Sequence, residues 1–560
     1  MRRIKGSKKI TDQNILPSDT NYITIKTMYN LDSLSLKYLI EENKDFLNGA
    51  VVQKIQMLSK REILLSMRNL GENRKLYINV DPKFAHINFM TDKDNYFIKI
   101  PPAPPMFCML LRKHLEGGKL NNIRVVDYER IVEFYFDIYD EIGSLIPMCL
   151  SVELMGKHSN VILYNAKTKV ITGCVHNISP EKSSVREVWG GVTYIYPPKQ
   201  EKTDILKSSI ADFYTLDTAQ ISDKYYYFSK GLTDFILKKA AEAKKEELFS
   251  LFQNLAGGNK QLILEFWAEK IKEEGLFEPD LNNLNGLIEA YFSHFVLKDL
   301  VQGRKNTLLR QIQKEFKRNN DIILNSDKKS NYLAYKEKGD LILANIYKIN
   351  KGDKILATEG FEIILDENKT PSENAQWYFA LYSKGKKAKE VLEKRKLEAE
   401  QNIQYLNEIL FTIKNADRPD ILDEIEEEIS KFSGKNTQNI KGNKENKPDV
   451  KCIEYQGFTL YLGKNNKQND YLIRKLSNPE DIWLHTKDCP SGHIIIKTEN
   501  GKKAVTDEVL LYAAKLVKEN SSAKESSKVS IIYTKRKYLK RPPETHLGYV
   551  TYKEEKEIVI

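Results

Sequence analysis

PSENAQWYFALYSKGKKAKEVLEKRKLEAEQNIQYLNEILFTIKN, residues 371–415, decides how this chain is read. Within it Ala388, Leu392, Arg395, Ala399, Asn402, Leu406, Ile409 and Ile413 are separated by alternating steps of 4 and 3, approximately a heptad seam. A second stretch, roughly 288–325, sets Val301, Leu308, Ile312, Phe316 and Ile323 at steps of 7, 4, 4 and 7. Between them lies a compact insert, about 332–368, with strand-like Lys354–Thr358 and Phe361–Leu365. The pattern predicts an antiparallel coiled-coil hairpin with the insert near its far end. The competing reading is two core helices of a larger bundle; the narrow seam and the heavily charged flanks favour the hairpin. At 1.5 Å per residue, an arm of 40 residues is about 60 Å long.

Working outward, residues 28–198 read as mixed strand and helix. An amphipathic stretch, Leu34–Leu47, precedes strand-like runs at Glu62–Met67 and Lys75–Val80. Pro101, Pro102, Pro104 and Pro105 exclude helix and central strand. A helical pattern, Met106–Leu115, follows and is stopped by Gly117 and Gly118. Arg130–Tyr139 and Leu150–Tyr164 read as neighbouring strands with a turn near Gly156. Residues 205–290 carry short amphipathic pieces parted by turn signals, the pattern of a small helical domain. The arm then occupies 291–433. Residues 434–450, rich in Gly, Asn and Lys, form a linker. Strand patterns and one helix, Asp507–Lys518, resume in a separate domain at 451–560. The fold class expected is α+β and multidomain: a mixed α/β N-terminal domain, a small helical domain, a long coiled-coil arm and a C-terminal α/β domain.

The 560 residues hold 88 basic and 77 acidic side chains, a net +11 that permits a nucleic-acid partner without demanding one. The last domain carries 20 basic against 14 acidic residues, and Lys524–Arg541 has seven basic residues opposed only by Glu525. No run reaches the roughly eighteen apolar residues of a membrane span. Residues 1–27 form a basic extension without the apolar core of a secretion signal. Five cysteines without a CxxC pair support neither a disulfide framework nor a Cys-based zinc site. No P-loop, GxSxG elbow or HExxH is present. His485 and His493, eight apart with Asp481 and Asp488 nearby, do not have a defensible metal-ligand spacing, and structural or RNA-facing histidines are the better reading. Neither a catalytic group, a metal nor a cofactor is therefore expected. Lys464, Asn465, Asn466 and Lys467 follow a strand. They are compatible with contacts to phosphates, sugars and base edges and equally with an ordinary Asn-rich hairpin turn.

Gly463–Asp470, Asp481–Asp488 and Pro490–His493 resemble the C-terminal domain of the ribosome quality-control family called NEMF in animals and RqcH in bacteria. Bacterial members also carry the name fibronectin-binding protein. Pro104–Gly118 and Glu153–Asn160 resemble its N-terminal domain, and Gly339–Asn345 and Pro371–Ala375 its coiled-coil region. The blocks run in family order from about 28 to 553.

The resemblance implies four parts: NFACT-N, a helix-hairpin-helix-like domain, a coiled-coil arm and an RNA-binding NFACT-R domain. It implies a cytoplasmic protein that binds large ribosomal subunits (23S rRNA) obstructed by peptidyl-tRNA. Such a protein recruits alanyl-tRNA and supports mRNA-independent tailing of the stalled chain, beside a small RNA-binding partner of the RqcP type. The peptide bond is then made by ribosomal RNA. The family's Asp-Arg pair for tRNA recruitment corresponds to Glu129 and Arg130 here, and His86 stands where the family usually has Arg. Arg112, Lys113, Lys157 and His158 are further tRNA-facing candidates, although Arg112 and Lys113 fit equally as surface residues of their helix. An ordinary exposed ion pair is the bland alternative for Glu129 and Arg130, worth about 0–1 kcal/mol. On the arm, Lys384, Lys386, Lys387, Lys394 and Arg395 are expected to meet rRNA. In the last domain Lys464, Asn465, Asn466, Lys467, Trp483, His485, Lys487 and His493 are the RNA-binding candidates. The alternative functions are a fibronectin-binding surface adhesin and an RNA-binding protein without tailing activity; nothing supplies the nucleophile of a nuclease or glycosylase.

Overall fold

The computed structural model describes residues 30–90, 100–140, 142–181, 183–276, 283–326, 331–358, 360–433, 448–541 and 546–560. The expected basic extension and most of the expected linker lie outside them. The chain forms two units, 1–300 and 301–560.

The first unit is built on strands β1 (Val51–Met57), β2 (Glu62–Asn69), β3 (Glu72–Asn79), β4 (His86–Met90), β5 (Lys119–Val125), β6 (Ile131–Tyr139), β7 (Leu145–Glu153), β8 (Asn160–Asn165) and β9 (Ile171–Cys174). They form one antiparallel sheet in the order β4-β3-β2-β1-β5-β6-β7-β8-β9. The two-residue period of a strand sends alternate side chains to opposite faces. Leu150, Val152, Val161 and Leu163 therefore join the main core, while Cys149, Ile162 and Tyr164 pack with Val188 and Tyr194 on the other face. Helix α1 (Ser33–Glu42) begins at Asp32, whose carboxylate accepts the Ser35 N–H at 2.7 Å. Helix α2 (Met106–Leu115) starts after Pro105 and stops before Gly117, which takes the left-handed φ of 82°.

Helices α3 (Lys230–Lys239), α4 (Lys245–Gly257) and α5 (Gln261–Glu273) follow, and α6 (Leu284–Ser326) begins in this unit. The expected separate helical domain at 205–290 is not separate in its core. Leu232, Phe252, Phe266, Trp267 and Phe292 belong to the same apolar cluster as Leu34, Ile55, Leu76 and Phe134. Each helix is short, so its apolar face needs the sheet side for cover. Two buried hydrogen bonds lock the join: Trp267 Nε1 donates to Ser35 Oγ at 3.0 Å and Tyr38 O–H to the Leu255 carbonyl at 2.7 Å.

In the second unit, α7 (Leu333–Ala344), hairpin β10 (Ile355–Thr358)–β11 (Phe361–Ile364) and α8 (Pro371–Asn415) follow the end of α6. Thr370 caps α8 in a reciprocal box with Glu373, and Pro371 stands at its first position. The 45-residue helix is about 68 Å long. The antiparallel pairing is visible in two contacts: Lys305 Nζ donates to the Lys414 carbonyl at 2.8 Å, and Asn402 Nδ2 to Asn319 Oδ1 at 3.0 Å. The paired positions sum to 719 and 721, as an antiparallel hairpin in constant register requires. The seam is thus present, but only in part of its predicted length. Leu406, Ile409 and Ile413 are buried, whereas Ala388 and Arg395 are exposed. The N-terminal part of α8 is occupied instead by the insert. Ile342, Leu356 and Ile363 form a small core with Ala375 and Tyr378. Helix α7 within the insert was not anticipated by its strand-like pattern.

Helix α9 (Pro419–Phe432) is strongly amphipathic and acidic. The last domain is an antiparallel sheet of β12 (Lys451–Tyr455), β13 (Phe458–Gly463), β14 (Ile482–Thr486), β15 (His493–Ile496), β16 (Ser530–Lys535) and β19 (Lys556–Val559), in the order β12-β13-β15-β14-β16-β19. Strands β17 (Leu539–Lys540) and β18 (Thr551–Tyr552) pair separately. Helix α10 (Asp507–Glu519) covers one face through Val509, Ala513 and Val517. Leu472, Trp483, Ile495 and Ile532 cluster on the other.

Two outcomes test this packing. A fragment of residues 28–300 should unfold in one cooperative thermal transition followed by circular dichroism. One of residues 28–198 should show none, because it bares the apolar surface that Phe252, Phe266 and Trp267 cover; equal cooperativity would refute the shared core. Gly385→Ala should destabilise the arm. The helix propensity of Ala favours it by about 1 kcal/mol. The new Cβ, however, would fall against Tyr332 Cβ, close to the backbone, where overpacking costs about 1–3 kcal/mol. A stabilised variant in chemical denaturation would show that Tyr332 yields freely.

Candidate nucleic-acid interfaces

The Glu129 and Arg130 pair sits where β6 begins. The turn before it is strained: Tyr128 holds a φ of 68°, and across the cleft Tyr227 holds 79°. Bulky residues rarely occupy this region and do so where surrounding structure enforces it. Tyr128 stacks on Tyr226 at 4.3 Å, meets Tyr227 edge-on at 5.3 Å and donates its hydroxyl to Asp204 at 3.0 Å. The cleft, of about 690 Å³, is lined among others by Asp32, Tyr128, Arg130, Lys202, Ser229 and Lys230.

Of the charges here Asp32 is buried, Glu129, Arg130 and Lys202 are partly buried, and Lys230 is exposed. Burial lowers the Arg130 pKa, opposed by the facing carboxylates of Asp32 and Glu129. Burial raises Asp32, opposed by hydrogen bonds from Ser35 and Ser229 and by the Arg130 charge. Burial raises Glu129 as well, opposed by Gln200 and then Arg130. This is not the exposed ion pair of the bland reading. It is a partly buried guanidinium whose charge the Asp32 and Glu129 carboxylates offset, and its planar fork of donors can pair with a phosphate or a base edge. Asp32, Gln200 and the tyrosines were missed in the sequence. The Asp-Ser-Leu-Ser cap at 32–35 and the Tyr225-Tyr226-Tyr227 run are the signals that point to them.

The other candidates of this unit fall differently. Leu154 N–H donates to the Arg130 carbonyl at 2.8 Å, so the turn carrying exposed Lys157 and His158 begins beside the pair. Arg112 donates Nε–H to the Ile55 carbonyl at 2.8 Å; Lys113 is exposed, and neither lines the cleft. His86 is 1% exposed, stacked on Phe292 at 4.2 Å, with Nδ1 2.5 Å from the Phe84 carbonyl. Burial pulls its pKa down to about 4. A neutral, enclosed imidazole is a core group and offers RNA neither charge nor surface, which corrects the expectation for this residue.

On the arm, Lys384, Lys386, Lys387 and Arg395 are exposed; Lys394 lies 4.0 Å from Glu398. Such pairs are worth a few tenths of a kcal/mol and leave the lysine accessible.

The polar run after β13 is neither a hairpin turn nor an open RNA loop. It forms a helical turn, Asn466–Tyr471, capped by Asn465 and continued by a π-helical Leu472–Leu476. Its amides are engaged by acidic α9. Asn465 Nδ2 donates to Glu424 at 2.7 Å, and Asn466 Nδ2 to Glu428 at 2.9 Å. Lys467 lies 3.5 Å from Glu427 and 3.8 Å from Glu424. Asn465 is thus a structural group in this arrangement, Asn466 is held while also lining the pocket described next, and Lys467 stays partly exposed beside its carboxylates. The remaining candidates converge. Lys464, Trp483, His485, Lys487 and His493 all line one pocket of about 150 Å³. Trp483 and His485 stack at 5.7 Å, and both meet His493 edge-on. Burial pulls His485 down to about 4 and His493 well below the usual range, so both are neutral at pH 7. Asp481 is held by Lys497 at 2.6 Å and by Thr498. Among the described residues no group of three or more His, Cys, Asp or Glu is placed to hold a metal. No helix of the described residues is long and apolar enough to cross a membrane.

Residues 32–448 match the NFACT N-terminal and middle domains, and residues 450–553 match the NFACT protein RNA binding domain. The chain is 30% identical over 562 residues to the Rqc2 homolog RqcH of Bacillus subtilis (strain 168), covering 93% of this chain and 96% of that protein. It is 29% identical over 548 residues to the protein of the same name from Streptococcus suis (strain 05ZYH33), covering 94% and 97%. The solved N-terminal part of the fibronectin/fibrinogen-binding protein from Streptococcus suis overlaps 40% of this chain and 84% of that chain, at 27% identity and a TM-score of 0.36.

Glu408, on α8 at the wall of the smaller pocket, provides a test of the junction around it. Burial, and then the nearby Glu428 carboxylate, raise its pKa from an ordinary 4.5 to about 7. Between those values the folded chain keeps a proton that the unfolded chain has lost. Stability therefore falls as pH rises from about 4.5 to about 7. Glu408→Gln should raise the melting temperature at pH 8, with the gain shrinking toward pH 5. A gain independent of pH would place the titration elsewhere.

Proposed function

The chain belongs to the NFACT family, and from that premise we propose that it acts in ribosome quality control. In this reading it binds large ribosomal subunits still obstructed by peptidyl-tRNA, recruits alanyl-tRNA and supports mRNA-independent tailing of the stalled chain. It works in the cytoplasm, with an RqcP-type partner on the same subunit. The observation that carries this is the match to NFACT domains across both units, in order, together with likeness to RqcH over nearly the full length of both chains.

The geometry supports a division of labour. The cleft around Arg130 mixes a guanidinium, carboxylates and stacked tyrosines. Such a set reads base edges and sugar hydroxyls, the groups that tell one RNA from another. The exposed lysines of the arm offer the opposite: charge without sequence readout, which anchors a protein on RNA in a salt-dependent way. The peptide bond is made in the peptidyl transferase centre, so positioning is what this chain has to supply.

Purification of the full chain from cells, with sequencing of the bound RNA, tests this. The expected result is 23S rRNA plus one tRNA species. The double variant Glu129→Ala with Arg130→Ala should still sediment with large subunits. It should recover roughly tenfold less tRNA, the scale of losing one bidentate contact, and C-terminal tails should vanish from stalled reporter chains. Undiminished tRNA recovery would overturn the role of the pair. Absence of ribosomal RNA, with the protein exposed on intact cells, would favour the adhesin instead.

A further inference from the structure

The pocket of the last domain carries two polar atoms that the fold leaves unused. Trp483 is 1% exposed and His493 5%, yet Trp483 Nε1 and His493 Nδ1 are buried without a hydrogen-bond partner. Buried polar groups are almost always paired, and an orphan calls for an explanation such as a missing ligand or water. Both residues line the same 150 Å³ space, well above the roughly 30 Å³ share of a single water in the liquid.

The surroundings narrow the chemistry. The pocket has aromatic faces, supplied by Trp483, His485, Tyr549 and Tyr552. His485 Nδ1 is already 2.6 Å from the Thr486 carbonyl, so His485 offers mainly its ring. The two imidazoles are neutral, which makes the interior unsuited to an anion. Positive charge is confined to Lys464, exposed, and Lys487, exposed and paired with Glu557 at 2.6 Å. Flat aromatic walls, an N–H donor and a second ring nitrogen inside, and cations near the mouth match a base with its phosphate outside.

Resting on the reading of residues 450–553 as an RNA-binding domain, we propose that this pocket receives one unstacked nucleobase of a single-stranded RNA segment, hydrogen-bonded by Trp483 Nε1 and His493 Nδ1. An indole N–H requires an acceptor on the base edge, so the pocket discriminates among bases where the lysines do not.

The test uses the full chain labelled with 5-fluorotryptophan, whose four tryptophans give separate fluorine resonances. Trp483 is assigned from the spectrum of Trp483→Phe. Homopolymeric RNA decamers of each base, and each nucleoside monophosphate, are titrated in turn. The expected result is that one decamer binds roughly tenfold tighter than the others and moves the Trp483 resonance. Trp483→Phe should abolish the preference while retaining binding, and Lys464→Ala should weaken all four decamers alike. If the variant fails to fold, the wild-type resonance still decides. Equal binding of all decamers with an unmoved Trp483 signal would mean a pocket filled by water only, overturning the proposal but not the RNA-binding reading. A shift caused by monophosphates and by no decamer would overturn it in favour of a free nucleotide. Failure of every decamer to bind would overturn both readings together.

Discussion

A carboxylate taken out of water must be met by donors or give up its charge, and the second unit is arranged around one such group, Glu428. Burial raises its pKa, and hydrogen bonds from Tyr405 and Asn466 oppose the shift. Those two donors belong to α8 and to the turn after β13, while Glu428 itself is on α9. One acid therefore ties the arm, the acidic helix and the RNA-binding domain at a single point. Tyr405 extends the junction by stacking on His546 at 3.9 Å, and His546 in turn lies 3.1 Å from Asn402 Oδ1. Asn402 is the residue that also bonds Asn319 across the hairpin, so the polar chain runs from the seam of the arm to the domain. Breaking such a chain at one member leaves its neighbours buried and unpaired, which is costlier than removing them all.

The first unit solves a different problem. Its sheet is long, and helices too short to bury themselves are laid against it until one core results. The consequence for the site is rigidity. Asp32 is at once the cap of α1, the acceptor for Ser229 and the carboxylate facing Arg130. Asp32 thus both starts the helix and offsets the Arg130 charge, so that counter-charge is fixed in place by the hydrogen bond that caps the helix. Tyr128 and Tyr227 show what such fixing permits, namely backbone conformations that an open loop would relax out of.

Periodicity made the two long helices, the turn at Gly117 and strands such as β2, β3 and β6 readable, because these depend on local pattern alone. The boundaries of α8 coincide with the prediction, since a capping box and a proline mark its start in the sequence. What local pattern does not carry is which apolar face meets which. The helices at 205–290 look self-contained in sequence, and the shared core emerges from contacts such as Trp267 with Ser35 and Tyr38 with Leu255. The same holds for the sites. Of the eight candidates that the family resemblance implies in the last domain, Lys464, Asn466, Trp483, His485, Lys487 and His493 converge on one pocket. Asn465, Asn466 and Lys467 carry the composition of an RNA-binding loop, yet α9, encoded some forty residues earlier, has the carboxylates that take them. His86 was misread for a related reason: its position suggested a cation, and only packing against Phe292 shows a neutral core ring.

The register of the hairpin has a consequence for the order in which the molecule assembles. The Asn319–Asn402 contact spans 83 residues of chain and Lys305–Lys414 spans 109, while the small core of the insert joins Ile342 to Ala375 and Tyr378 over far shorter separations. The entropy of loop closure rises with span, and once an inner contact is made each outer one closes only a few more free residues. The tip of the arm therefore closes at the lowest entropic cost, and contacts toward the base become cheaper once it has formed. On a chain made from its N-terminus, the tip is complete well before the last domain exists. In chain order Glu428 and the acidic helix precede the Asn-rich turn, so the carboxylates that receive Asn465 and Asn466 are synthesised before the amides they accept from.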